Sequence, residues 1–103
     1  MGPYWVYILA NKYNNVVYVG MTNDLNRRVL EHKTGKYSTA FTRRYNINKL
    51  VWYEQRADLQ DALLHEKRVK RWRRPWKDEM ITKLNPEWKD LSDGWYDPRD
   101  LSQ

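Results

Sequence analysis

Residues 4–21 read YWVYILANKYNNVVYVGM, and the fold turns on this stretch. Tyr4 to Ala10 are aromatic, β-branched or aliphatic, the composition of a strand. Asn11 to Asn15 include three Asn, a residue that tolerates turn geometry. Strand character resumes from Val16 to Met21. Two such runs joined by about five turn-prone residues predict a β-hairpin.

The elements that follow can be read outward from this hairpin. Thr22, Asn23 and Asp24 offer N-caps for a helix that Gly35 closes. Leu25 and Val29 mark its apolar stripe, and helical spacing puts Arg28 and His32 on the same side, toward the sheet. An inward Arg needs an anion, a carbonyl or a ligand, unless it sits at the stripe edge and snorkels to solvent. Spacing alone leaves both open. Residues 36–46 read as a loop with a short helix around Thr39 to Tyr45, and residues 48–54 as a third strand.

Asp58, with Asp61 three positions on, starts a second long helix. Its inward stripe runs Leu59, Ala62, Leu63, Glu66 and Val69. A carboxylate in that stripe is costly unless it pairs, Arg28 being the obvious partner, or holds a metal ion. Pro75 opens a third helix with Trp76, Met80, Ile81 and Leu84 on its core side, ending before Asn85 and Pro86. Residues 93–103 lack periodicity and read as a flexible tail, which leaves 1–92 as one domain.

The chain of 103 residues carries 19 Lys plus Arg against 13 Asp plus Glu, a net charge of +6 that points to an anionic partner, nucleic acid first. The charge is concentrated. Lys67, Arg68, Lys70, Arg71, Arg73, Arg74 and Lys77 fall within eleven residues and are interrupted by Trp72 and Trp76. Basic side chains track a phosphate backbone and exposed aromatics stack on bases, although the two Trp also have the spacing to pack on the core.

Six Trp, eight Tyr and one Phe exclude a fully disordered chain. No apolar run approaches the ~20 residues of a membrane span, and no charged segment leads into an apolar one at the N-terminus, so neither a membrane nor a signal peptide is expected. With no Cys, disulfide scaffolds and Cys-based zinc sites are excluded, which fits a cytoplasmic protein.

Together these residues resemble the GIY-YIG nuclease family. Val6-Tyr7, ten intervening residues and Tyr18-Val19-Gly20 resemble its two-tyrosine signature. The likeness continues through Thr22 to Leu25, Arg27-Arg28, Glu31 to Lys33, Leu50 to Glu54, Glu66-Lys67, Trp72 to Arg74 and Asn85-Pro86. It covers roughly residues 4–91 and is greatest for small stand-alone bacterial members of the family.

The resemblance implies an α+β fold, a small three-stranded antiparallel sheet flanked by three or more helices. It implies a site in which Tyr7 and Tyr18 are the signature tyrosines, Arg28 the helix arginine, His32 the residue one turn later, Glu66 the single metal-binding carboxylate and Asn85 a supporting asparagine. One Mg²⁺ or Mn²⁺ on Glu66 suits a hard cation with one protein carboxylate, and no second inward carboxylate lies near it in sequence to make a two-metal site. Arg28 would grip the scissile phosphate. A phenol, with an ordinary pKa of about 10, needs help from His32 or the metal to activate water.

Three departures stand out. Trp5 replaces the first signature Gly, Val19 replaces Ile, and Met21 stands where some relatives carry Lys. The expected function is a metal-dependent endonuclease on DNA, including single-stranded or branched forms in repair or recombination. The alternative is a non-catalytic or partner-dependent nucleic-acid-binding module on the same fold.

Overall fold

A computed structural model describes residues 3–36 and 40–102. The hairpin forms as its composition dictates: β1 (Tyr4–Ala10) pairs antiparallel with β2 (Val17–Thr22). Asn14 turns the chain at φ +60°, and the Asn11 carboxamide oxygen accepts from the amides of Asn15 and Val16 at 3.1 Å each. A third strand, β3 (Lys49–Arg56), adds to the other edge of β1, giving the order β2-β1-β3. The central position of β1 explains its near-complete burial from Val6 to Ala10.

Alternation along β1 sends its side chains to two cores. Val6, Ile8 and Ala10 join Val19, Val51, Trp52, Val69 and Ile81 on one face. Tyr7 and Leu9 join Leu25, Val29, Ile47 and Leu50 on the other. A β-bulge lets β3 serve both. Leu9 faces Leu50 while Ile8 faces Trp52, so Val51 is the extra residue and shares the first face with Trp52.

The helix α1 (Leu25–Thr34) covers the Tyr7 face. Its cap is Asp24, whose carboxylate accepts from the Arg27 amide at 3.1 Å, and Gly35 at φ +80° ends it in the left-handed region. The short α2 (Ala40–Tyr45) follows; the expected start at Thr39 lies outside the described residues. On the opposite face lie α3 (Leu59–Arg71), capped by Asp58 on the Asp61 amide at 2.8 Å, and α4 (Arg74–Leu84), with Pro75 in its first turn. No helix among the described residues is long and apolar enough to cross a membrane.

The expected apolar stripes are wider than the real contacts. Ala62, Val69 and Ile81 are fully buried, but Leu59 is 41% exposed, Trp76 61% and Leu84 54%. Leu59 is the first residue of α3, at its solvent end. The helix α4 touches the core through Ile81 and the half-buried Met80, a strip too narrow for four residues.

The segment after Leu91 is not the frayed tail its lack of periodicity suggests. Its backbone joins the sheet where the Leu91 amide donates to Leu50 O at 2.7 Å. Trp95 packs edge to face on Tyr53, and the Tyr96 hydroxyl donates to Asn26 O at 2.7 Å. A last helix, α5 (Pro98–Leu101), lies against α1. Isolated aromatic anchors hold this segment, and isolated anchors have no period to read.

Candidate functional site

Tyr7 sits on the central strand directly opposite Gly20, wholly buried, and Tyr18 lies two residues before Gly20 on the same face. From α1, His32 meets both. Its Nε2 is 3.3 Å from the Tyr7 hydroxyl, and the ring centroids are 6.0 Å apart for Tyr7–His32, 5.7 Å for Tyr18–His32 and 6.5 Å for Tyr7–Tyr18. The sequence thus brings three of its candidate residues into one cluster, two by strand register and one by helical spacing.

Arg28 lies one turn before His32, 19% exposed, with its Nε 3.3 Å from Glu31 Oε1. Burial first, and the Arg28 charge second, depress the His32 pKa to about 4. The imidazole is therefore neutral at pH 7 and presents one acceptor nitrogen. Tyr7 is fully enclosed on the sheet side of the trio, while His32 also lines a cleft with Thr34, Thr42 and Arg43.

Glu66 is carried by the opposite layer. It faces inward as its spacing predicts, with 16% of its side chain exposed, but the inward charges pair within their own helices: Glu66 Oε2 with Lys70 Nζ at 3.3 Å, Arg28 with Glu31. The expected Arg28–Glu66 pair is replaced because α1 and α3 cover opposite faces of the sheet. The helix α3 lies chiefly over β2 and β1, so Glu66 belongs to an element that borders the strand carrying Tyr18.

Among the described residues, no three His, Cys, Asp or Glu side chains gather as a ready-made metal cage. The donor that is present, a single hard carboxylate whose Lys70 partner is half exposed, suits an ion that keeps most of its own water.

Asn85 is the buried C-cap of α4. Its Nδ2 donates to Val51 O at 3.1 Å and Lys89 O at 2.8 Å, while its Oδ1 accepts from the Lys89 amide at 3.1 Å. All of its side-chain hydrogen bonds fasten backbone, tying α4 to β3. The basic segment divides in a similar way. Lys67, Arg68, Lys70, Arg71 and Arg73 are exposed. Arg74 instead clamps the hairpin turn, with Nη1 on Asn15 O at 2.9 Å, Nη2 on Asn14 O and Nε on Asp78 Oδ1 at 2.6 Å. Lys77 donates to Lys70 O at 3.2 Å, and burial, then the Arg74 charge, lowers its pKa.

Sequence reasoning missed two groups. Trp5, Tyr53 and Trp95 form an aromatic row beside the trio, and Asp90 accepts from the Leu50 amide, the Ser92 amide and hydroxyl, and Lys33 Nζ. The surplus of aromatics was the available signal for the first. Nothing in the spacing signalled the second.

With this geometry in hand, the chain can be placed. Residues 3–80 match the family described as the GIY-YIG catalytic domain, and the chain belongs to the GIY-YIG family. Nucleases of this family act on nucleic acid and generally use a divalent metal ion, so membership suggests a nuclease-type function. Within the family it is similar to proteins named UPF0213. It is 34% identical over 87 residues to that of Syntrophus aciditrophicus, covering 84% of this chain and 98% of the relative. It is 30% identical over 82 residues to the UPF0213 protein YhbQ of Salmonella typhimurium, covering 80% of each. The solution NMR structure of the UPF0213 protein from Bacillus halodurans superimposes with a TM-score of 0.55 at 26% identity, over 90% of this chain and 98% of that one.

Proposed function

We propose that the chain is a metal-dependent endonuclease that hydrolyses phosphodiester bonds in DNA. The observation that carries this reading is the buried contact between Tyr7 and a neutral His32, one helical turn from Arg28. In the proposed step the attacking water lies on the partly exposed Tyr18 side of the cluster and its proton passes to neutral His32, which the buried Tyr7 hydroxyl holds in place. The water oxygen bonds to phosphorus, the bond to the leaving strand breaks, and solvent protonates the leaving oxygen. Arg28 grips the phosphate and balances the charge that develops on it. Glu66 would hold one Mg²⁺ or Mn²⁺, which when bound supplies further neutralisation of that charge. The edge strand β2 carries Tyr18 and borders α3, and a phosphodiester lying along that edge would meet both. The exposed cations from Lys67 to Arg73 would track the flanking backbone, with a secondary share from Lys77.

The test is incubation of labelled single-stranded, duplex and branched DNA with Mg²⁺, Mn²⁺ or EDTA. Cutting is expected with either metal, lost in EDTA and lost in Arg28→Ala and Glu66→Ala with binding retained. Cutting by Glu66→Ala at the wild-type rate removes the metal assignment. Binding without any cutting leaves a nucleic-acid-binding module.

A further inference from the structure

The aromatic row beside the trio forms one wall of a groove of about 520 Å³, within the roughly 300–1,000 Å³ range of small-ligand sites. Trp5, Tyr53 and Trp95 make that wall, and Asn23, Asp24 and Asn26 at the start of α1 face them. Trp5 meets Tyr53 edge to face at 5.8 Å, and Tyr53 meets Trp95 in the same manner at 6.1 Å. Rings packed edge to face keep π-surface open to a further flat group, which stacked rings would have covered.

We propose that this groove is a slot for one unpaired nucleobase of the nucleic acid held at the Tyr7–His32 site, an assignment that rests on the nuclease reading. Position, charge and chemistry support it. Trp5 precedes Tyr7 by two residues on the same face of β1, about 7 Å along the strand, and Tyr53 lies directly opposite Tyr7. The groove therefore adjoins the trio, while Arg28, suited to phosphate, is one turn further along α1.

The lining contains no Lys or Arg, and its one charged group, the Asp24 carboxylate, caps α1 and pairs with Arg27, so the groove offers no cation to a phosphate while its rings suit a neutral heteroaromatic group. The amides of Asn23 and Asn26 both donate and accept, the pattern that reads a base edge. A base within a duplex has its faces covered by its neighbours and its edge paired, so the slot admits only an unpaired or extruded one. Of the three rings, Trp5 stands where the resemblance places the signature Gly, and Trp95 lies beyond the matched residues 3–80. Tyr96 ties the Trp95 wall to α1 through Asn26 O.

The test measures binding in EDTA by fluorescence anisotropy, so that cleavage plays no part. The probes are a labelled deoxythymidine oligonucleotide, the same length of abasic backbone, and a duplex. The wild type is expected to bind the single strand roughly 5- to 150-fold more tightly than the abasic strand, the range for one base stacked on an aromatic. Trp95→Leu is expected to abolish that difference, Trp95→Phe to restore most of it, and neither to alter duplex binding. Equal affinity of the wild type for the abasic and thymidine strands overturns the slot whether or not the variants fold, and leaves the nuclease reading standing if metal-dependent cutting persists. Failure to bind any nucleic acid overturns both.

Discussion

The ring of Tyr7 lies across Gly20: a β-carbon at residue 20 would fall 2.5 Å from both Cζ and the hydroxyl oxygen of Tyr7. The absence of a side chain on β2 is therefore what lets the buried phenol reach His32. Gly20→Ala is expected to cost about 1–3 kcal/mol of stability, the usual range for overpacking, and to abolish nuclease activity by displacing the hydroxyl. In a Tyr7→Leu background the same change is expected to cost less than half as much. Urea denaturation of the four proteins in this cycle measures the coupling, and additive losses would show that the two residues act independently.

His32 makes stability depend on pH in a defined window. Its folded pKa, about 4, lies below the ordinary 6.5, so the unfolded chain takes up the proton first as pH falls. The contribution is complete above pH 6.5 and drains away down to about pH 4, a loss of about 3 kcal/mol at about 1.4 kcal/mol per pH unit. Denaturation at pH 7.0, 5.5 and 4.5 is expected to give a shallower decline in His32→Gln than in the wild type. Parallel declines would mean that His32 is not held neutral.

The basic segment is expected to separate into two phenotypes. Replacing Arg68, Arg71 and Arg73 together by Ala should flatten the log–log salt dependence of DNA binding by up to about 2–3, at about 0.7–0.9 for each phosphate that is no longer neutralised. Arg74→Ala should leave that slope unchanged and lower stability by about 1–2 kcal/mol, because its guanidinium holds the carbonyls of the hairpin turn. A reversed pattern would place Arg74 on the nucleic acid.

Asp90 fastens the C-terminal segment. Burial opposes its ionisation, yet hydrogen bonds from Lys33 and Ser92 outweigh that cost and hold its carboxyl below the usual range. This stabilisation is present at pH 7 and is lost as pH falls through the depressed value. Asp90→Ala should cost about 1–3 kcal/mol by stranding the Leu50 amide and its neighbours. Limited proteolysis should then nick the chain after residue 90 faster than in the wild type, and unchanged cleavage would show that Trp95 and Tyr96 suffice to hold it.

How much was legible in the sequence follows from what leaves a period. The hairpin, the caps Asp24 and Asp58 and the inward positions of Arg28, His32 and Glu66 all follow from alternation or helical spacing, and all appear in the structure. The partners of those charges were not legible, because whether α1 and α3 share a face is a matter of tertiary layering. Arg74 looked like one more cation in a basic run; only the hairpin folding back beneath α4 makes it a clamp. Trp95 and Asp90 act singly and across the chain, and single long-range interactions leave no local pattern.

The bulge at Val51 gives β3 an unusual tolerance. It works as a phase shifter, resetting which residues of the strand look toward α1. Most substitutions along β3 would disturb one neighbour each. Removing Val51 alone would leave Leu50 opposite Leu9, Trp52 opposite Ile8 and Tyr53 opposite Tyr7 in unbroken alternation, and would cost only the Val51 side chain in the opposite core. The face that Tyr53 presents to the site therefore survives a one-residue loss from β3, because the bulge holds the one residue that the ladder can spare.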